Sequence, residues 1–285
     1  MSSSTRTEGT GTLYVVPTPI GNLGDVTLRA LDVLGSCHVV AAEDTRRTRT
    51  LLERHGIAAR ALALHRFNEE RTAAKIAQIL MSGHDVACVT DSGTPGISDP
   101  GARLVARIRS QGLRVVPLPG PSAPVAAMSA SGWEGPFTFE GFVERRPGPR
   151  RDQIARLAAE GRAAVLFEAP SRLRSTLETI ASVAPEHPVL LAREMTKVHE
   201  EYRVDTAAGL LGSLPAEVKG EVTLVLMPPA GGAPSHASAG MEAVVRAALE
   251  LEARGLRLKD AARILAPLAS LPASRIYEEA LVHRR

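Results

Sequence analysis

The amino-acid sequence predicts an α/β protein made of two α/β domains and a small C-terminal helical appendage. Short apolar runs alternate with helical patterns along most of the 285 residues, as in a mainly parallel sheet covered by helices. Residues 131–136 contain two glycines, a proline and the only tryptophan, and a second α/β series follows them. Residues 228–238 have the Pro, Gly, Ala and Ser content of a linker. We therefore predict a disordered tail at 1–11, α/β domains at 12–130 and 137–227, a linker at 228–238 and the appendage at 239–285.

The first domain shows five strand patterns. The run at 86–90 is rich in small and β-branched residues, which is typical of a strand buried on both faces of a parallel sheet. A helix is expected to follow it, with Asp99 as N-cap, Pro100 at its first position and Gly112 at its end. The predicted strands are 13–16, 39–42, 61–64, 86–90 and 114–118, and the other helices are 27–34, 45–54 and 69–80.

The second domain predicts a mixed sheet, because its last strands follow one another closely along the chain. Its predicted strands are 137–142, 163–167, 188–192, 198–204 and 222–227, with helices at 152–159, 172–183 and 206–214. The appendage contains three helical patterns, 242–254, 258–266 and 274–282, which resemble a helix-turn-helix unit. Either a nucleic-acid module or a packing appendage would account for them.

Composition excludes several classes of protein. Aromatic residues make up only 3% of the chain, too few to favour stacking of single-stranded nucleic acid, and a net charge of +3 permits an anionic partner without requiring one. Cys37 and Cys88 lie in strand-like runs, as expected of buried free thiols in a reducing compartment. Neither a signal-peptide core nor an apolar stretch of membrane-spanning length is present, so we expect a cytoplasmic protein.

Several familiar chemistries lack their motifs. The first strand is followed by PTPIGNLGD at 17–25, which is neither a Walker loop nor a dinucleotide fingerprint. The eight histidines show no paired spacing on a helix and the two cysteines lie far apart, so no metal site is expected. The glycines and serines near 132 do not form the nucleophile elbow of a hydrolase.

The strongest candidate binding element is DSGTPGISDPG at 91–101, which directly follows the predicted strand 86–90. Loops at the carboxyl ends of parallel strands are where open α/β sheets bind ligands. Glycines and small hydroxyl residues let a ligand approach the backbone closely. A plain strand-to-helix turn without a ligand is the alternative that this segment by itself leaves open.

Five blocks, taken in order, resemble the tetrapyrrole methylase superfamily and, within it, the ribosomal RNA small-subunit branch. The similarity spans 12–227, and the blocks are TPIGNLGD at 18–25, AEDTR at 42–46, the segment 91–101, PLPGPS at 117–122 and REMTK at 193–197. The resemblance implies a homodimer of two-domain subunits that binds S-adenosylmethionine in the cleft between the domains. It also implies methyl transfer to the ribose 2′-hydroxyl of a cytidine in the decoding region of 16S ribosomal RNA, either naked or in the small ribosomal subunit.

The resemblance also assigns cofactor contacts to four turns that follow strands. Most of these positions are small or apolar, which suits backbone hydrogen bonds to the amino-acid part and packing against the adenine. The expected contacts are Leu23 in the first turn, Ser92, Gly93, Thr94 and Ile97 in the second, Ser122 and Ala123 in the third, and Ala169 in the fourth.

Proton transfer needs a separate group, because the small-residue part of the segment 91–101 holds no strong acid or base. In tetrapyrrole-methylating relatives an acid and a base align with Asp44 and His65, and one of these, or Glu43 beside them, is expected to accept the hydroxyl proton. The alternatives are that Asp44 caps the helix beginning at Thr45 and that His65 is a polar residue closing a strand.

Arginine clusters are the candidate RNA contacts. Arg145, Arg146, Arg150 and Arg151 fall within seven residues on a predicted exposed loop, where they are suited to phosphate binding. Arg46, Arg47 and Arg49 form a second candidate cluster. A solvated loop and an exposed helix face are the corresponding alternatives.

Two other functions remain open at this stage. One is a methylase of the same superfamily that acts on a tetrapyrrole, although the first turn at 18–25 and the appendage match the RNA branch. The other is a non-catalytic RNA-binding assembly factor that keeps the fold.

Overall fold

The computed structural model describes residues 9–65, 68–229, 235–269 and 271–283. Its first sheet contains five parallel strands in the order β3-β2-β4-β1-β5. These strands are β1 (Thr12–Val15), β2 (Val39–Ala42), β3 (Ala61–Ala63), β4 (Val86–Val89) and β5 (Arg114–Pro117). The helices of this part are α1 (Leu28–Ser36), α2 (Thr45–Arg54), α3 (Glu69–Met81), α4 (Ala102–Ser110) and α5 (Ala123–Ser131). The parallel sheet expected from the sequence is confirmed.

Helices cover both faces of this sheet. Side chains alternate along β4, so that Val86 and Cys88 join one apolar cluster with α3 and α4, whereas Ala87 and Val89 join another with α1 and α2. All four are fully or almost fully buried. A strand buried on both faces is apolar at every position, which explains why β4 has no polar alternation.

The second sheet is mixed, as predicted, with the order β6-β7-β10-β8-β9. Only β6 and β7 are parallel, and the other three pairs are antiparallel. Its strands are β6 (Phe137–Phe142), β7 (Ala163–Glu168), β8 (Pro188–Arg193), β9 (Glu201–Thr206) and β10 (Val222–Leu226). Helices α6 (Pro147–Ala159), α7 (Leu173–Val183) and α8 (Ala207–Ser213) pack on one face.

Helix α5, which the sequence patterns did not indicate, packs on the other face of the second sheet. Ala127 and Met128 are buried there against Val165, Leu190 and Val225. The helix that follows the last strand of the first sheet thus contacts the second sheet, and it links the two domains through apolar packing.

The C-terminal helices α9 (Ser235–Ala253), α10 (Leu258–Ala269) and α11 (Ala273–His283) share an apolar cluster of their own. Helix α9 begins within the predicted linker, and residues 230–234 lie outside the described residues. Most of the predicted N-terminal tail also lies outside them, but Gly11 is buried and donates its N–H to the carbonyl of Leu80 at 2.8 Å. Among the described helices, none combines the length and apolar character needed to cross a bilayer.

The predicted start of α4 at Asp99 and Pro100 is wrong. The N-cap is Gly101, whose φ of +130° favours glycine, and the carboxylate of Glu69 supplies the capping oxygen. Glu69 Oε1 accepts hydrogen bonds from the N–H groups of Gly101, Arg103 and Leu104, each at 3.1 Å. A buried carboxylate on α3 therefore does what a local N-cap side chain does elsewhere.

The loop predicted to carry four exposed arginines is shorter than expected, and the prediction for Arg150 is wrong. Helix α6 begins at Pro147, so Arg150 lies in its first turns and is buried. Its Nε and Nη1 donate to Thr179 Oγ1 and Ser175 Oγ on α7, both at 3.1 Å. Prolines at the start of a helix favour its first turn, which explains the earlier start. Arg150 thus joins two helices and is not available to RNA, whereas Arg145, Arg146 and Arg151 are exposed.

The strand predicted at 198–204 begins later, at Glu201. The preceding residues form a turn in which Glu194 and Thr196 have φ values of +51° and +67°. Val198 is 94% exposed in this turn, so its apolar character does not indicate a strand here.

The Glu69 cap generates a stability prediction. Glu69→Ala leaves three N–H groups without their acceptor, two of them on buried residues, so we expect the free energy of unfolding to fall by about 2 kcal/mol or more. Glu69→Gln keeps an acceptor oxygen and should recover part of the loss. Urea unfolding followed by circular dichroism measures both, with Glu70→Ala on the exposed neighbouring position as control. An equal effect of the Glu70 and Glu69 alanine variants would contradict the capping role.

Candidate methyl-donor site

A cavity of about 320 Å³ lies where the carboxyl edge of the first sheet meets the second sheet. Its first-domain wall contains the turns after β4 and β5, and its second-domain wall contains the ends of β6, β7 and β10 and the turn after β8. Seven of the eight cofactor contacts expected from the sequence line it: Ser92, Gly93, Thr94, Ile97, Ser122, Ala123 and Ala169.

The turn after β4 is fixed to its neighbours by backbone hydrogen bonds. Thr18 and Gly93 exchange N–H to carbonyl bonds at 2.9 and 3.0 Å, and Thr94 Oγ1 donates to the carbonyl of Pro121 at 3.0 Å. Gly93 has a φ of +79°, and a Cβ there would lie 3.4 Å from Ile20 Cγ2. Glycine at this position therefore keeps the backbone in a conformation that other residues rarely adopt.

The second-domain wall is apolar apart from its carboxylates. Phe142 packs edge-on against Phe167, with ring centroids 5.5 Å apart. The buried Glu168 carboxylate accepts from the N–H of Ala169 at 2.7 Å and forms an ion pair with Arg172. These contacts hold Ala169 and the carboxyl end of β7 at the cavity.

The two walls meet at the first turn. A Cβ on Gly21 would lie 2.7 Å from both Lys197 Cγ and Thr196 Oγ1, so only glycine permits this close approach between the domains. Lys197 Nζ lies 2.8 Å from Glu194 Oε1 and 3.0 Å from Glu221 Oε2. Burial of Lys197 lowers its pKa, but the ion pairs outweigh this effect, so the pKa is raised. Hydrogen bonds donated by Lys197 and by the Glu221 N–H lower the pKa of Glu194.

Acidic residues follow β2 and β4 at the same edge. Asp44 is the N-cap of α2, where its carboxylate accepts from the Arg46 N–H at 2.9 Å and pairs with the Arg46 guanidinium at 3.0 Å. Hydrogen bonds from the Arg46 side chain and backbone lower the pKa of Asp44 to about 2. Burial raises the pKa of Asp91, and the negative charges of Glu43 and Asp44 raise it further. The hydrogen bond that the Asp91 carboxylate accepts from the Asp44 N–H acts in the opposite direction.

The remaining predicted residues lie outside the cavity wall. His65 is exposed at the end of β3, and its backbone N–H donates to Asn68 Oδ1 at 2.9 Å. Leu23 lies in a 3-10 turn and lines an adjoining groove rather than the cavity. Arg46 forms an ion pair with Asp44, and Arg47 forms one with Asp91 at 3.7 Å.

Sequence reasoning missed most of the second-domain wall. Met195 lies in one of the five resemblance blocks, which was the only available signal for it. The other missed lining residues on this side include Phe142, Phe167, Glu221 and Thr223, which come from strand ends far apart in the sequence.

Comparison with known proteins supports the family resemblance. The model of the tetrapyrrole (corrin/porphyrin) methylases matches residues 12–211. A protein of Neisseria meningitidis serogroup B named ribosomal RNA small subunit methyltransferase I is 40% identical over 275 residues, covering 95% of this chain and 93% of its own length. A protein of Haemophilus influenzae with the same name is 40% identical over 282 residues, covering 97% and 99%.

Solved structures show the same fold. A uroporphyrin-III C-methyltransferase from Thermus thermophilus has a TM-score of 0.53 and 21% identity, and a cobalt precorrin-4 methyltransferase has a TM-score of 0.58 and 18% identity. Both alignments cover 76% of this chain and 94% of the other. The matched model, the two-sheet architecture and the long alignments with the methyltransferase I proteins lead to one assignment: the chain belongs to the tetrapyrrole (corrin/porphyrin) methylase family.

Proposed function

We propose that this protein transfers the methyl group of S-adenosylmethionine to the ribose 2′-hydroxyl of a cytidine in the decoding region of 16S ribosomal RNA. The observation that carries the proposal is the cavity between the two domains, lined by seven of the eight residues expected to contact the donor. The names of the relatives support ribosomal RNA of the small subunit as the acceptor.

The cavity suits S-adenosylmethionine in size and chemistry. A volume of about 320 Å³ lies at the lower end of the range for small-molecule sites. Ile20, Ile97, Phe142 and Phe167 offer apolar surface to an adenine ring, and the Gly93 backbone leaves room for close approach. Glu221 provides negative charge on the wall, which suits a positively charged donor.

Placement is the main contribution of the protein to the reaction. The donor, when bound, supplies a methyl group on a positively charged sulfur, so the acceptor oxygen needs only in-line approach and loss of its proton. The hydrogen-bonded turns at Gly93 and Thr94 fix the first-domain wall, and the Lys197 network fixes the turn opposite. Rigid walls keep the donor in one orientation while RNA binds.

His65 is our proposal for the proton acceptor, whereas Asp44, after the neighbouring strand β2, caps α2. Imidazole is the side chain that most often accepts protons in enzymes, and His65 lies at the carboxyl edge, after β3. A carboxylate whose pKa is about 2 is a weak base at neutral pH, which argues against Asp44. The hydroxyl proton would pass to the imidazole as the oxygen–methyl bond forms and the sulfur–methyl bond breaks.

Arg145, Arg146 and Arg151 remain candidate RNA contacts because they are exposed. We also propose a homodimer, which rests on the family resemblance, and a cytoplasmic location, which follows from a ribosomal substrate. The exposed arginines would bind backbone phosphates and make RNA affinity depend steeply on salt.

Methyl transfer is tested directly with methyl-labelled S-adenosylmethionine. We expect label in 16S ribosomal RNA or in small ribosomal subunits that lack the modification, located on the 2′-oxygen of one cytidine. Primer extension at low nucleotide concentration and mass spectrometry of nuclease fragments locate the methyl group. Label found only in a precorrin would establish the tetrapyrrole alternative, and RNA binding without any transfer would establish the assembly-factor alternative.

The donor cavity is tested by filling it. Ala123→Phe places an aromatic ring at the cavity wall, so we expect the affinity for S-adenosylmethionine to fall at least about tenfold. Val125→Phe on the same helix is the control, because Val125 is 59% exposed and does not line the cavity. Isothermal titration calorimetry measures both, and equal affinities would place the donor elsewhere.

Proton transfer is tested with Asp44→Asn and His65→Gln. Asparagine caps helices as well as aspartate does, so the first variant should keep turnover within about threefold. The second should lower kcat by about 10²-fold or more with unchanged donor affinity. Full turnover in the His65 variant would remove it as proton acceptor, and a large loss in the Asp44 variant would return that role to the carboxylate.

A further inference from the structure

A second depression adjoins the donor cavity and is not explained by donor binding. This groove has a volume of about 810 Å³ and runs between the first turn, the end of α2 and the turn after β8. The residues that matter for its chemistry are Asn22, Leu23, Arg54, His55, Thr196 and Val198. It combines residues of both domains, as the donor cavity does.

Groove and cavity share one narrow boundary. Ile20 and Met195 line the cavity, whereas the next residue of each segment, Gly21 and Thr196, lines the groove. The boundary is completed by Lys197, which lines the groove and pairs at 3.0 Å with Glu221 of the cavity wall. A molecule lying in the groove therefore lies next to the methyl donor.

The turn that forms this boundary carries two kinds of unfavourable feature. Thr196 is β-branched and has a φ of +67°, a backbone conformation that is strained for such a residue. Its buried Oγ1 and the buried Nε2 of His55 on the groove's other side lack hydrogen-bond partners among the described residues. Backbone strain and unpaired polar atoms of this kind concentrate at sites that bind ligands.

Charge and exposed apolar surface indicate what the groove accepts. Arg54 has no ion pair with any described residue, in contrast to Arg46 and Arg47 earlier on α2. Leu23 and Val198 are exposed on opposite sides of the groove, 39% and 94% respectively. One free guanidinium beside two apolar side chains matches a nucleotide, which presents a phosphate and the face of a base.

We propose that this groove binds the RNA strand that carries the acceptor ribose, with Arg54 at a backbone phosphate and Leu23 and Val198 against a base. This inference rests on the proposed function, because it supplies the acceptor side of the same reaction. Binding there brings the ribose hydroxyl to the boundary at Gly21 and Thr196, beside the donor cavity.

Charge reversal at Arg54 tests the groove. Arg54→Glu should weaken binding of a 16S RNA fragment or the small subunit at least about tenfold and raise KM. RNA affinity should also become less sensitive to salt, because a phosphate contact is lost. The slope of log affinity against log salt concentration should be smaller in magnitude by about one than the slope of a matched variant. The matched control is Arg107→Glu on α4, which makes the same change of net charge at an exposed arginine outside both cavities.

A second variant tests the apolar side. Val198→Glu should weaken RNA binding to a similar extent, because it places a negative charge in the groove, whereas Val198→Ala only removes apolar contact and should weaken binding mildly. Both variants should fold, because a side chain that is 94% exposed contributes little to folding. Donor affinity, measured by calorimetry, should stay unchanged in every variant. Oligomeric state is measured in parallel by size-exclusion chromatography with light scattering.

The outcomes separate this inference from the proposed function. If the wild-type protein methylates RNA and Arg54→Glu behaves as Arg107→Glu does, the groove is not the RNA site, although the function stands. If Val198→Glu alters the oligomeric state and leaves RNA affinity unchanged, the groove is a contact between protein chains. If the wild-type protein transfers no methyl group to RNA, the proposed function fails and the inference fails with it.

Discussion

Apolar packing between the two domains is the interaction on which the site depends. Ile20 from the first turn and Ala127 and Met128 from α5 are buried in one cluster with Val165 and Val225 of the second sheet. Burial of this kind is favourable by roughly 25 cal/mol per Å² of apolar surface, and it fixes the two walls of the cavity relative to each other. Without it the residues of the two domains that we propose to bind the donor would not face one another.

Two kinds of chemistry are separated along the carboxyl edge of the first sheet. The turns after β4 and β5 contribute mainly small residues, such as Gly93, Thr94 and Ala123, to the wall of the proposed donor cavity. The ends of β2 and β3 carry charged and titratable groups such as Asp44 and His65. A closely packed wall of mainly small residues suits a donor that is already activated, whereas proton transfer needs groups of adjustable charge.

The boundary between cavity and groove links the donor side to the proposed acceptor side. Gly21 allows the two domains to approach within van der Waals distance, and the Lys197 ion pairs fix the second-domain turn that Gly21 meets. Close packing of this kind means that a displacement of the turn affects both depressions together. Donor and acceptor binding are therefore expected to depend on the same few residues.

The sequence alone determined the parallel and mixed sheets, the family and most of the first-domain wall, because buried strands and glycine-rich turns leave local patterns. Only the tertiary structure decided the contacts between distant segments. Glu69 replaces Asp99 as the cap of α4, Arg150 is buried between helices, and α5 packs across to the second sheet. Each depends on partners from about 25 to about 100 residues away, and no local pattern encodes such a partner. The groove beside the strained turn at Thr196 belongs to the same class, since opposite domains supply its two sides.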